Sequence, residues 1–310
     1  MTNPPSTNPP PSTNPPSTQV HLVDGTYELF RHFYSPGGGH TNGDGREVGA
    51  TRGVLRSMLN MLDEGATHLG VATDHVIESF RNDLYAPYKD GSGIDAELRQ
   101  QFDLLEDALT AAGITVWPMV EVEADDALAA AAHVAAADPT VARAIICTPD
   151  KDLAQCVRDP DIIQYDRRAQ VFRDEAGVRE KYGVAPESIP DWLALVGDSA
   201  DGFPGLPGWG AKSAAAVLAR YVHIEEIPLS LGHWDISVRG SAKLVAALVD
   251  RFEDALLFRR LATLELDVAV GTVDEWRWRG PTDELAAMAQ LLDAPDVLRK
   301  ANAVAQRRVA

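Results

Sequence analysis

The 310-residue chain is 45% hydrophobic and 24% charged, an ordinary globular balance with room for one large or two small domains. Its net charge of −18 argues against a broadly basic nucleic-acid binder. What it leaves open is an acidic protein whose carboxylates gather on cations and whose basic groups line one face. No apolar run reaches the length of a membrane span, and the N-terminus lacks the pattern of a signal peptide. The two cysteines, Cys147 and Cys156, have no metal-ligand spacing. Such sparse use points to a reducing cytoplasm, with Cys147 a buried thiol at the end of an apolar run.

Residues 1–19 repeat a Ser-Thr-Asn-Pro-Pro unit and read as a disordered tail leaning toward polyproline II. Residues 20–24 form a short apolar run ending in Asp24, followed by a helical pattern over 26–34 and a Gly-rich loop over 35–46. Helical spacing returns over 48–62, and 68–73 reads as a strand ending at Asp74. The pattern predicts one amphipathic helix over 95–112, a strand over 114–120 and an alanine-rich helix over 124–137. A strand over 144–148 runs into Asp150 and Asp152, and short strands follow at 162–165 and 171–173. Strands alternating with helices predict an α/β fold with a mainly parallel central sheet flanked by helices. Beyond residue 174 the pattern is helical, over 174–182, 187–196, 210–221, 240–262 and 284–303. The expected organisation is therefore a tail over 1–19, an α/β core over 20–174 and a helical region over 175–310.

The candidate chemistry lies in the acids. Asp24, Asp74, Asp150 and Asp152 follow strands, where ligands of open parallel sheets bind. One terminal Asp is usually a helix N-cap; several at equivalent strand ends fit a shared acidic site better. Glu123, Asp125 and Asp126 begin a helix, where acids also suit the macrodipole, and Asp125 points about 100° away from its neighbour. Asp198 and Asp201, three apart, would share one face of a helical turn. Nine converging carboxylates would repel one another, a conflict that hard divalent cations such as Mg²⁺ or Mn²⁺ remove. A set without His or Cys argues against zinc. Immediately afterwards come Gly205, Gly208, Gly210, Lys212 and Ser213, opening onto an alanine-rich helix. Glycines at a helix N-terminus free backbone N–H groups to meet a phosphate.

These segments, in this order, resemble the 5′-nuclease superfamily: flap endonucleases and the 5′–3′ exonuclease domain of bacterial DNA polymerase I. They are Leu22-Val-Asp24-Gly with Arg31; Asp74 with Phe80-Arg81 and Tyr88-Lys89; Glu123-Ala-Asp125-Asp126; Thr148-Pro-Asp150-Lys-Asp152-Leu; and Gly197-Asp198-Ser-Ala-Asp201 with the glycine-rich turn. The match covers roughly 20–265, and the ordered set is far more specific than any one motif. The resemblance implies a PIN-like core, a helical arch at about 85–112 and a helix–three-turn–helix element at 205–213 that grips duplex backbone and often carries K⁺.

The resemblance also implies a metal-dependent, structure-selective phosphodiester hydrolase acting on DNA with 5′ flaps, nicks or 5′ single-stranded ends in replication and repair. By the same resemblance the protein would be cytoplasmic and monomeric, with two or more Mg²⁺ or Mn²⁺ ions and no membrane partner. By motif position, Asp24, Asp74, Glu123, Asp125, Asp126 and Asp150 look like a first metal cluster. Asp152, Asp198 and Asp201 look like a second, with Asp150 open to sharing. Lys89 and Arg81 resemble the basic residues that orient the scissile phosphate, and Arg31 a DNA contact near the site. Three departures stand out: Ser92 where many bacterial relatives carry Arg, Gly202 where the family commonly has Asn, and a sequence that stops near residue 310, from which a stand-alone nuclease without a polymerase domain is expected. The competing readings are a non-catalytic module binding branched DNA, and a small-molecule phosphohydrolase in which the glycine-rich turn has no clear task.

Overall fold

The computed structural model describes residues 18–309, so the expected tail lies outside the described residues except for Thr18 and Gln19, which open the first strand. Strand β1 (Thr18–Asp24) leads into α1 (Gly25–Phe33) and α2 (Gly49–Asp63). Strand β2 (His68–Asp74) is followed by α3 (Phe80–Leu84), α4 (Ala96–Arg99) and α5 (Phe102–Ala111), and β3 (Thr115–Met119) by α6 (Ala124–Ala137). β4 (Val141–Cys147), β5 (Ile162–Asp166) and β6 (Val171–Arg173) complete a six-stranded sheet of order β3-β2-β1-β4-β5-β6. All neighbours are parallel except β5 and β6. Pro118 is tolerated in β3 because that strand is an edge, where a missing ladder donor costs little.

The second half holds α7 (Glu175–Tyr182), α8 (Ile189–Val196), α9 (Ala211–Tyr221), α10 (Ser241–Asp250) and α11 (Phe252–Ala262). These enclose their own core around Trp192, Leu193, Phe203, Leu218 and Phe258. The last helices, α12 (Leu285–Leu291) and α13 (Pro295–Val309), turn back and pack on α5 and α2 of the α/β half. The helical region expected over 175–310 is thus divided, its end belonging to the first core.

Alternation along the strands feeds two buried layers. Val23, Val71 and Ile145 face α2, α5 and α13, while Leu22, Ala72 and Ile146 face α6. Ala127, Ala130 and Ala131 of α6 are fully buried, and side chains this small let the helix lie close on the sheet. Cys147 is a buried free thiol, its pKa pushed up to about 12 by burial. Among the described residues no helix is long and apolar enough to cross a membrane.

Three helices expected as continuous are broken. The 95–112 helix stops at Gln100 because Gln101 turns fully inward, where its Oε1 accepts from the backbone N–H (3.0 Å) and hydroxyl (3.2 Å) of Thr51. Beyond the break, Leu104, Leu105 and Leu109 are core residues, so 102–111 is a sheet-covering helix and no part of an arch. The 240–262 helix breaks at Arg251, whose φ of −125° is not helical. The 284–303 helix breaks before Pro295, a residue that suits a helix start and not a helix interior.

Candidate active site

Strand β1 lies between β2 and β4, so chain connections leave it toward opposite sides and open a crevice at the carboxyl ends. Asp24 ends β1 and caps α1: Oδ1 accepts the N–H of Tyr27 (2.8 Å) and Oδ2 the Thr148 hydroxyl just past β4 (3.0 Å). Asp74 ends β2, and its Oδ1 accepts the N–H of Ala124 in α6 (2.9 Å) while its own N–H donates to Thr26 Oγ1 (2.8 Å). These bonds fix three strand ends and two helix starts against one another. Burial raises the pKa of Asp24 to about 7, with Asp74 and Asp150 adding to it. Asp125 is held well above the usual carboxylate range by burial, then by Asp150 and Asp24, and burial also raises Asp74. Asp24, Asp74, Asp125 and Asp150 therefore share one crevice and feel one another's charge.

Asp152, Asp198 and Asp201 form a second group, with ligand oxygens all within 4.8 Å of one another. The last two do not lie on a helix, as their spacing suggested. They sit on a tight turn closed by Asp198 and Phe203, whose backbones exchange hydrogen bonds of 2.8 and 3.0 Å. Burial, followed by the charge of Asp150, holds Asp152 well above its usual range, and burial raises Asp201 to about 6 against the opposing pull of Lys89. Asp152 Oδ1 is buried and has no hydrogen-bond partner among the described residues. An unpartnered carboxylate oxygen beside two more carboxylates suits a hard cation bound through oxygen.

Lys89 joins the two groups. Its Nζ is 2.5 Å from Glu123 Oε2 and 3.5 Å from Asp201 Oδ1, and its N–H donates to the Asp201 carbonyl (2.9 Å). Burial alone would lower its pKa, but Glu123, Asp201 and Asp74 hold it well above the ordinary value. Gly202 makes this approach possible: its φ is +87°, and a Cβ there would lie 2.5 Å from the Pro87 carbonyl oxygen. Glycine in place of the expected Asn is therefore a steric requirement of the Pro87–Lys89 segment in this chain.

Three expected roles meet a different environment. Arg81 is 1% exposed and Asp126 0%. Arg81 Nη1 and Nη2 each donate to one Asp126 oxygen at 2.7 Å, and its Nε and Nη2 also donate to the carbonyls of Leu261 (2.8 Å) and Thr263 (3.2 Å). Asp126 additionally accepts the N–H groups of Glu123 (2.9 Å) and Glu265 (2.8 Å). With its oxygens committed to protein donors, Asp126 is withdrawn from the crevice, and Arg81 from any phosphate. Glu123 lies between: Oε1 accepts from Ser79 (2.7 Å) and Arg81 (3.3 Å), while Oε2 faces Lys89. Arg31 sits two turns along α1 from Asp24, roughly 10 Å at the helical rise, paired with buried Glu28, which also binds Arg167.

The glycine-rich turn divides similarly. Gly205 is buried, with φ +68° and the space of a Cβ filled by the backbone of Val196 and Gly197. Gly208, Gly210, Lys212 and Ser213 instead line an open recess of about 600 Å³ at the start of α9. Ser213 Oγ accepts the Gly210 N–H (3.0 Å), and Arg239 joins the recess from a later loop. The sequence reading missed Arg239 as a site residue because only folding brings it there, and missed Lys151, whose Nζ lies 2.5 Å from Asp198 Oδ2. It also missed His75, Asp103 and Glu106, which converge beside Asp74.

Residues 19–183 match the model of the 5′-3′ exonuclease N-terminal resolvase-like domain, and residues 184–284 that of the 5′-3′ exonuclease C-terminal SAM fold. The chain belongs to the 5′-3′ exonuclease family. It is 35% identical over 260 residues to DNA polymerase I of Pseudomonas aeruginosa, covering 80% of this chain and 27% of that protein. DNA polymerase I of Mycobacterium leprae is 35% identical over 254 residues, with the same 80% and 27% coverage. The chain thus spans about a quarter of the length of these relatives. Similar folds are found in a T5 5′-exonuclease with bound zinc (TM-score 0.59, 17% identity, covering 93% of this chain and 98% of that one) and in flap endonuclease-1 from Methanococcus jannaschii (0.58, 14%, 93% and 92%). The catalytic core of Rad2, solved in complex with DNA substrate, aligns with a TM-score of 0.60 at 14% identity over 93% of each chain.

Proposed function

We propose that this chain is a structure-selective 5′ nuclease that hydrolyses DNA phosphodiesters at 5′ flaps and 5′ ends, as a cytoplasmic monomer in replication and repair. The observation that carries the reading is the pair of carboxylate groups bridged by Lys89, to which the open recess at the start of α9 adds a separate basic surface. Asp24, Asp74, Asp125 and Asp150, with the Lys89-facing Oε2 of buried Glu123, are the residues to hold a first Mg²⁺ or Mn²⁺ ion; Asp152, Asp198 and Asp201 are those to hold a second. Two such ions, when bound, activate a water and stabilise the leaving oxygen.

The remaining steps belong to the chain itself. Lys89, once its carboxylate partners turn to cations, has its ammonium free to orient the scissile phosphate and stabilise the charge that develops on it. Arg81 and Asp126 act at one remove, as positioning residues that hold Glu123 and the start of α6. Gly208, Gly210, Lys212, Ser213 and Arg239 grip duplex backbone without reading sequence, with K⁺ a candidate ligand of the same turn. Segment 85–101, which precedes the core helix α5, is the candidate arch for a 5′ strand.

A 5′-end-labelled flap duplex incubated with Mg²⁺, Mn²⁺ or EDTA tests this, with Asp150→Asn as control. Cleavage near the flap junction is expected with either metal, and loss of it in EDTA and in the variant. Flap binding without any cleavage would instead favour a non-catalytic branched-DNA module.

A further inference from the structure

Lys151 stands between Asp150 and Asp152, the acids that end in different carboxylate groups, and opens the 3-10 turn Asp152–Cys156. Its Nζ makes one ion pair, 2.5 Å to Oδ2 of Asp198. Asp198 is 2% exposed and spends its other oxygen on the N–H of Ala200 (2.9 Å). Charge in this group is unevenly balanced. Asp198 has Lys151, Asp201 has the more distant Lys89 at 3.5 Å, and Asp152 Oδ1 has no partner among the described residues. The Lys151 side chain is 32% exposed, so its flexible stem has open solvent to turn into, whereas the Lys89 backbone is tied to Asp201.

We propose that Lys151 is a tethered counter-ion of the Asp152–Asp198–Asp201 group, neutralising Asp198 until a divalent cation takes its place and then swinging into solvent. The inference rests on reading these three acids as ligands of a cation. An ammonium on a ligand oxygen competes directly with that cation, and one that stays nearby repels it. Lys151 therefore weakens cation binding at this group while stabilising the cation-free fold.

The test strips the protein with EDTA, then titrates Mn²⁺ while free Mn²⁺ is read by electron paramagnetic resonance, for wild type, Lys151→Met and Lys151→Arg. Thermal melts with and without saturating Mn²⁺ run alongside. Lys151→Met should bind Mn²⁺ at one site about tenfold more tightly, the scale of one pKa unit between neighbouring charges. It should melt lower than wild type in EDTA and equally at saturation, and Lys151→Arg should restore wild-type behaviour. The tighter binding should vanish in the Asp198→Asn background. Unchanged or weaker Mn²⁺ binding, with a melting gap that persists at saturation, would make Lys151 a plain structural ion pair and overturn the proposal. Should Lys151→Met fail to fold, Lys151→Gln gives the same ratio. A wild type that binds no Mn²⁺ overturns this proposal. One that binds with the expected Lys151 dependence but leaves 5′ flaps intact overturns only the nuclease reading.

Discussion

Arg81 meets Asp126 through two parallel contacts of 2.7 Å, one to each carboxylate oxygen, and both residues are sealed from solvent. One residue earlier, Asp125 opens onto the crevice and has its pKa driven up by Asp150 and Asp24 after burial itself. Two adjacent acids thus do opposite work. Removing one member of a buried pair leaves the other uncompensated and costs about 3–5 kcal/mol. Asp126→Asn and Arg81→Met should each lose stability on this scale in urea titrations. Asp125→Asn, which removes a repelled charge, should be as stable as wild type or more so in EDTA, yet lose flap cleavage. Equal destabilisation by Asp125→Asn would mean that its carboxylate is structural too.

The raised carboxylates fix how stability depends on pH without metal. An acid whose folded pKa exceeds its unfolded value binds its proton more tightly when folded, so the cost of ionising it is absent below about pH 4, near the unfolded value, and grows as pH rises. Asp201 at about 6 and Asp24 at about 7 set a window in which EDTA-treated protein loses stability as pH climbs from 4 to 7. Cations compete with protons for the same oxygens, so cation affinity rises across that window. The melting temperature gained on adding Mn²⁺ should be larger at pH 8 than at pH 5. A gain independent of pH would remove these carboxylates from the cation site.

Three strand ends were legible because β1, β2 and β4 are short apolar runs that lead into an acid, and the bounds expected for α6, 124–137, match the helix observed. The family was legible because five motifs stand in order. What separates Asp126 from Asp125 was not: the partners that claim Arg81 and Asp126 include Leu261, Thr263 and Glu265, more than a hundred residues away in the chain. The amphipathic pattern of 102–111 is the same whether its apolar face covers a sheet or lines an arch. The break at Pro295, by contrast, was readable, since proline inside a continuous helix costs about 3 kcal/mol.

Gly202 offers a test of how Lys89 is positioned. Alanine there would be strained by the φ of +87° and would drive its Cβ onto the Pro87 carbonyl oxygen, 2.5 Å away. The backbone has to shift, and the nearest thing to shift is the Pro87–Lys89 segment that presents the ammonium. A misplacement of about 1 Å can cost about a hundredfold in rate. Gly202→Ala should lower single-turnover flap cleavage on this scale while duplex affinity, measured in Ca²⁺, stays near wild type. Affinity and rate falling together would mean that the turn grips substrate and does not simply seat Lys89.

The recess at the start of α9 should behave as a phosphate grip whose lining is separate from the carboxylate groups. Lys212 and Arg239 line it, at the end of a helix whose free N–H groups favour an anion. A variant that neutralises one phosphate fewer releases about one counterion fewer on binding, so the slope of log affinity against log salt should fall by about 0.9 for each substitution. Lys212→Ala and Arg239→Ala should therefore weaken duplex binding at low salt, with similar effects on unrelated sequences because backbone contacts carry no base information. Cleavage of already bound flap should proceed at the wild-type rate, since neither side chain touches the carboxylates. Fluorescence anisotropy across a salt series, paired with single-turnover cleavage, separates the two quantities. An unchanged salt slope in both variants would move the DNA track off this recess and toward another basic face of the helical half.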